Sequence, residues 1–215
     1  MKFATTLLAA TVCVGALPAA ARDTGTTASP ETHLPRNISQ LSWFGERPSW
    51  SPDGKRIAFM SKSFGDAFEI DLATRRTRLL THYPNPGYLR VQYLPNGDYL
   101  LIGSRKFENV RTTRYSDQEL WVLRAGQRGA AEPLNQRMTE GVAISRLSMK
   151  IAYAVDSRTH PGSIPSGEAA IFTADVVYTD GKPALTNQRE AVRVKVPDCV
   201  GTEPQDFRNG DRELT

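Results

Sequence analysis

One turn, used repeatedly, constrains this chain more than any other feature. Ser51-Pro52-Asp53-Gly54 puts proline where φ must be preset, a short polar residue where it is tolerated, and glycine where φ turns positive. A short segment ending at Trp50 precedes the turn and an apolar run ending at Phe59 follows it, so the unit reads as a hairpin. The ten-residue segment beginning at Trp50 recurs with decreasing fidelity from Tyr93, Ile144 and Asp206. Leu94-Pro95-Asn96-Gly97 fills three of the four turn slots, whereas Ser145 to Ser148 has lost both proline and glycine. Counting from Ile57 to Leu100, Ile151 and Glu213 gives steps of 43, 51 and 62 residues.

Each repeat continues in the same way. Ala67-Phe-Glu-Ile-Asp-Leu72 alternates apolar and acidic residues, the period-2 signature of a strand, and 119–123 and 170–174 occupy the same place. A polar turn follows each (73–76, 125–128 and 179–182), then a short outer strand (77–81, 131–134 and 183–186). Pro133 and Pro183 suit an outermost strand, since proline cannot donate to a ladder. The expected fold is therefore all-β: a β-propeller of four-stranded antiparallel blades, incomplete, with about three blades and the start of a fourth. A step of 43 residues is one blade, and the longer steps require insertions. The expected blades are approximately 43–85, 86–137 and 138–197, with the next starting at 198–215. Three blades and a strand leave two apolar blade faces open, so the chain reads as a piece of a longer polypeptide.

Trp50-Ser-Pro-Asp-Gly-Lys-Arg-Ile-Ala-Phe59, followed by a strand and Arg78-Leu-Leu-Thr81, resembles the WD-like repeat of the TolB-like β-propeller family. The resemblance covers roughly 40–215 and fades from the first repeat to the last. It implies a non-catalytic protein-interaction scaffold of the cell envelope. TolB carries a separate α/β domain ahead of its propeller, for which there is no room between Arg22 and Trp43.

Residues 1–21 read as a secretory signal: Lys2, an apolar stretch to Leu17 too short to span a bilayer, and a small-residue cleavage pattern at 19–21. A lead-in rich in Ser, Thr and Pro (22–39) follows, with disorder expected, and the propeller then occupies 40–215. The mature chain is expected to carry no transmembrane segment and to be exported, to the periplasm or alternatively to the extracellular space. The sequon Asn37-Ile-Ser39 matters only in a eukaryotic secretory pathway. Removing Lys2 lowers the formal charge from +4 to +3, which argues against a nucleic-acid partner. Cys199 would remain without Cys13, a free thiol or half of a missing pair.

Signals for chemistry are poor. There is no Gly-x-Ser-x-Gly elbow and no glycine-rich phosphate loop. His33, His82 and His160 lack zinc-site spacing and read as solvated loop residues, so no metal and no cofactor are expected. Asp53, Asp71 and Asp98 read as turn or strand residues rather than acids or calcium ligands. Loops carry function on rigid scaffolds, and the second-to-third strand connections at 104–118 and 156–167 are the long ones. In an up-and-down blade both project from one face. Arg105, Lys106, Phe107, Arg111, Arg114 and Tyr115 in the first, with Arg158 and His160 in the second, form the candidate face for a protein partner. Two alternatives stand beside the scaffold. One is the N-terminal propeller of a prolyl-oligopeptidase-type serine peptidase, with catalysis beyond Thr215. The other is a propeller enzyme whose channel is lined by Pro48 to Ser51 and Arg90 to Tyr93.

Overall fold

The computed structural model describes residues 34–81, 86–126, 130–196 and 201–215. The chain divides into two units, Met1–Gln40 and Leu41–Thr215. In the first, the described residues contain one turn, closed by the Ile38 N–H on the Pro35 carbonyl (2.9 Å). The expected signal segment, His33, His82 and both cysteines lie outside the described residues.

The second unit is made of strands. β1 (Glu46–Trp50), β2 (Arg56–Met60), β3 (Ala67–Asp71) and β4 (Thr77–Leu79) form one sheet in chain order. β5 (Tyr88–Tyr93), β6 (Tyr99–Gly103), β7 (Glu119–Leu123) and β8 (Glu132–Arg137) form a second. β9 (Thr139–Ile144), β10 (Lys150–Asp156), β11 (Glu168–Thr179) and β12 (Lys182–Lys195) form a third, and β13 (Phe207–Arg208) pairs with β14 (Glu213–Leu214). Every pairing within the sheets is antiparallel, so each sheet is an up-and-down meander, the arrangement of a propeller blade. We call them blades one, two and three.

The repeated turns form as their residues dictate. The Gly54 N–H reaches the Ser51 carbonyl and the Gly97 N–H the Leu94 carbonyl (both 2.9 Å), with φ of +67° and +90° at the two glycines. The third turn survives without proline or glycine because the Ser145 side chain closes it. Its Oγ accepts from the Leu147 N–H (2.9 Å) and the Ser148 N–H (3.1 Å), an ST-type turn. Asp53, Asp71 and Asp98 are turn acceptors: Asp53 takes the Ser51 hydroxyl (2.6 Å), Asp71 the Thr74 N–H (2.8 Å) and Asp98 the Ala125 N–H (2.7 Å).

Period-2 geometry explains the packing. Along β6, Leu100 and Ile102 face blade three, where they join Val142, Ile151, Tyr153 and Val155. Tyr99 and Leu101 face blade one and join Ala58, Met60 and Ala67. Blade two is thus covered on both sides, and every residue of β6 is buried. The far side of blade one gathers Ile57, Phe59 and Ile70, with Phe44 edge-on to Phe59 and Phe68 at 5.7 and 5.3 Å.

Between blades one and two lies a buried carboxylate. Glu69, on β3, is 3% exposed. It accepts from Arg78 Nε (2.7 Å), from the Tyr99 hydroxyl (2.6 Å) and from the Tyr93 hydroxyl. Burial alone would raise the Glu69 pKa, but the hydrogen bonds from Arg78, Tyr93 and Tyr99 outweigh it and hold the carboxyl below its ordinary range. Burial, and then the hydrogen bond to Glu69, pushes Tyr99 up to about 12 and Tyr93 also upward.

Blade three departs from expectation. Its outer strands were expected at 170–174 and 183–186, yet β11 and β12 run for 12 and 14 residues. The β-branched residues of 171–179 continue the strand past Lys150, where β10 begins. The hairpin closes at Asp180-Gly181, both with positive φ (49° and 75°), a type I′ turn. Its overhang returns to blade two: the Tyr178 hydroxyl donates to Asp98, and the Arg124 guanidinium lies 5.2 Å from the Tyr178 ring.

Candidate functional site

The connection leaving β6 contains a helix, α1 (Val110–Ser116), where the sequence pattern suggested only a loop. Asn109 starts it: the Oδ1 accepts from the Thr112 N–H at 2.9 Å. The buried Thr113 pins it, accepting from the Glu108 N–H through Oγ1 (3.0 Å) and from Gln118 Nε2 through its carbonyl (2.8 Å). At two turns the helix depends on its cap. Asn109→Ala is expected to lower stability by about 1 kcal/mol. Hydrogen exchange in 110–116 should rise well before the blade strands respond.

Most of the expected basic face is already occupied from within the chain. Arg105 Nε donates to both oxygens of Glu119 (3.0 Å each), and its Nη2 to Asn135 Oδ1 (2.7 Å). Arg114 makes a fork to Glu140 through Nε (2.6 Å) and Nη2 (2.8 Å). Arg158 Nη2 donates to the buried Asp156 at 2.6 Å. Lys106 and Arg111 are exposed and have no ion pair among the described residues. Phe107 is 49% exposed, its ring edge-on to Phe64 at 5.4 Å, and Val110 and Tyr115 are also exposed.

His160 corrects the expectation of a solvated histidine: it is 3% exposed. The insertion folds back on itself, with the His160 N–H on the Asp156 carbonyl (2.9 Å). Nδ1 meets Thr159 Oγ1 at 2.9 Å, and Nε2 is enclosed without a partner. Burial, then the charge of Arg137, lowers its pKa against the opposing pull of Asp156 and Asp117. The base of this insertion and the end of α1 meet at the β8–β9 corner. There Arg137 Nη2 holds Asp117 at 3.2 Å, and Thr139 Oγ1 lies 3.1 Å from Thr159 Oγ1. The two insertions therefore share one face; His160 belongs to its interior, whereas Arg158 stays exposed with its charge paired to Asp156.

The innermost strands β1, β5 and β9 end together on the opposite side, at the repeated turns. A cleft of about 580 Å³ opens there, lined by Trp50 and Pro52, Tyr93 and Pro95, Ser145, and Asp206 of the fourth repeat. Trp50 is 63% exposed. Of the expected channel residues, Ser49 to Ser51 and Gln92 to Tyr93 reach this cleft. Among the described residues, no group of three or more His, Cys, Asp or Glu could hold a metal ion.

No protein-family model matches the chain, and no curated protein matches it. Among solved structures it is similar to a putative TolB from Agrobacterium tumefaciens, with 15% identity and a TM-score of 0.49, over 72% of this chain and 52% of that one. It is also similar to the Pyrococcus horikoshii acylaminoacyl peptidase (17% identity, TM-score 0.43, 77% of this chain and 34% of that one). A prolyl endopeptidase structure is similar at 12% identity and a TM-score of 0.41, over 68% of this chain and 28% of that one. The chain spans about half the length of the TolB structure and about a third of the peptidases. Likeness at this level carries no argument about function.

Proposed function

We propose that this chain belongs to an exported β-propeller that acts as a non-catalytic protein-interaction scaffold of the cell envelope, as its TolB-like repeat implies. The observation that supports this reading best is the strip on the blade-two insertion. Phe107, Val110 and Tyr115 lie exposed on a short capped helix and its approach, beside the unpaired cations Lys106 and Arg111. Apolar anchors flanked by positive charge suit an acidic protein segment with apolar side chains of its own. Among the described residues, no helix is long and apolar enough to cross a membrane. The partner surface is thus narrower than the basic face read from the sequence, because Arg105, Arg114 and Arg158 spend their charge on Glu119, Glu140 and Asp156.

The test is co-purification of partners by the full chain from envelope extracts. Phe107→Ser combined with Arg111→Glu is expected to reduce recovery of the specific partner at least tenfold, while leaving the unfolding midpoint nearly unchanged. Undiminished recovery would remove the insertion from the binding surface. Arg114 is a poor choice for charge reversal, since it would break the fork with the largely buried Glu140 and perturb the fold itself.

A further inference from the structure

Each innermost strand is irregular at the end nearest the insertions. The β1–β2 register shifts between Glu46 and Ser49, and the β5–β6 register between Tyr88 and Arg90. The β9–β10 register jumps from Val142 opposite Tyr153 to Thr139 opposite Ala154, which leaves Glu140 and Gly141 in the irregularity. Bulges re-aim side chains and increase local twist, and they gather beside functional sites. Charged residues sit in or beside all three: Arg47, with a positive φ of 54°, and Glu140 lie within their irregularities, and Arg90, opposite Ile102, follows directly on the unpaired Leu89.

Two of these charges are already satisfied. Arg47 is held by Glu46 and by Ser63 Oγ (2.8 Å), and Glu140 by the Arg114 fork. Arg90 is not. Among the described arginines that are not exposed, Arg47, Arg56, Arg114 and Arg124 each have a carboxylate within 4.0 Å, and Arg90 has none. Its Nε is enclosed without an acceptor. A partly buried guanidinium cannot escape the cost by deprotonating, so the charge stays uncompensated.

We propose that Arg90 forms a binding site for a single carboxylate between the inner strands of blades two and three. The field at Arg90 supports this: burial works against its charge most, Glu140 supports it, and Arg47 opposes it, with Glu203 supporting and Arg114 opposing more weakly. The Arg47–Glu46 and Arg114–Glu140 pairs cancel internally, so one positive charge remains, trimmed by the exposed Glu203. That balance suits a monoanion better than a doubly charged phosphate. The planar fork of arginine matches the two oxygens of a carboxylate. The carboxylate has two sources, a free small acid or an acidic side chain of a polypeptide.

The Arg Nε–H NMR signals of the full chain distinguish them. The probes are acetate and, separately, a capped Gly-Gly-Glu-Gly-Gly peptide, at constant ionic strength. The Arg90 signal, identified by its loss in Arg90→Gln, is expected to shift saturably with at least one probe. The saturable response to the same probe, read in the variants on the neighbouring Arg47 and Arg114 Nε–H signals, should weaken at least tenfold in Arg90→Gln and several-fold in Arg90→Lys, which keeps the charge but not the fork. A peptide that binds at least tenfold more tightly than acetate assigns the carboxylate to a polypeptide, and otherwise the site takes the free acid. Shifts that never saturate, saturation undiminished in both variants, or tighter binding of inorganic phosphate at the same ionic strength would overturn the proposal. If Arg90→Gln does not fold, Arg90→Lys alone decides, because the fork is what the proposal requires.

Discussion

Glu69→Ala is expected to lower the stability of the full chain by about 3 kcal/mol at neutral pH, the low end for removing one partner of a buried charged pair. The low end applies because Arg78, the cation released, is half exposed and can return to water. Tyr93 and Tyr99 cannot, and each keeps a buried hydroxyl that has lost its acceptor. Both tyrosines belong to blade two and Glu69 to blade one, so the loss should fall on the junction between the blades. The pH dependence has a definite sign. The folded-state pKa of Glu69 lies below its unfolded value, so its contribution is complete above the ordinary glutamate pKa of about 4.3 and drains away as pH falls through the folded value. Urea unfolding of wild type and Glu69→Gln should therefore show a gap that is constant from about pH 6 upward and closes toward about pH 3. A gap that widens on acidification would mean that the carboxyl is buried in its neutral form.

Gly87→Ala is expected to cost about as much, for a steric reason. Gly87 has φ of +91°, and a Cβ placed there would lie 2.1 Å from the Phe64 carbonyl oxygen and 2.4 Å from its carbon. These are backbone atoms of the blade-one loop, held by the Tyr88 N–H on the Gly65 carbonyl (2.9 Å), so the neighbour cannot simply turn aside. Gly97 is the control: its φ is +90°, and nothing lies within 4 Å of the added carbon. Alanine at Gly97 should cost about 1 kcal/mol for the backbone conformation alone, and at Gly87 about 3 kcal/mol, conformation and overlap together. Denaturant midpoints of the two variants measure the difference directly. Equal losses would show that the close approach of blade two to the Phe64 loop contributes nothing.

The parts of the fold that were legible in the sequence are those governed by local rules. Ser-Pro-Asp-Gly specifies its turn through the φ preferences of its own residues, and the alternation in Ala67 to Leu72 specifies a strand through the geometry of the pleat. The two-residue turn at Asp180-Gly181 belongs to the same class. Helix α1 carried a weak local signal, Asn109 ahead of Thr112, too short to stand against the surrounding strand pattern. The extra length of β11 and β12 was hidden by its analogy with five-residue strands in the other blades. Its overhang is supported by a contact across 80 residues, Tyr178 to Asp98.

The candidate site was legible as a location and not as a chemistry. The insertions could be placed on one face by counting strands. Which cations remain free could not be counted from the chain, because the carboxylates that neutralise them arrive from elsewhere. Glu119 lies 14 residues from Arg105, and Glu140 lies 26 residues from Arg114 on the next blade. His160 read as solvated for the same reason: its burial comes from the fold-back of its own loop against the β8–β9 corner.

The sequence by itself determined the repeat, the turns and the alternation that makes each sheet, since all three follow from steric preferences within a few residues. Only the tertiary structure decided which charges are spent and which are left. Glu69 is sealed against two tyrosines 24 and 30 residues away, while Arg90 stands among charges that pair with one another. Electrostatic satisfaction depends on distance and burial in three dimensions, and chain separation does not encode either.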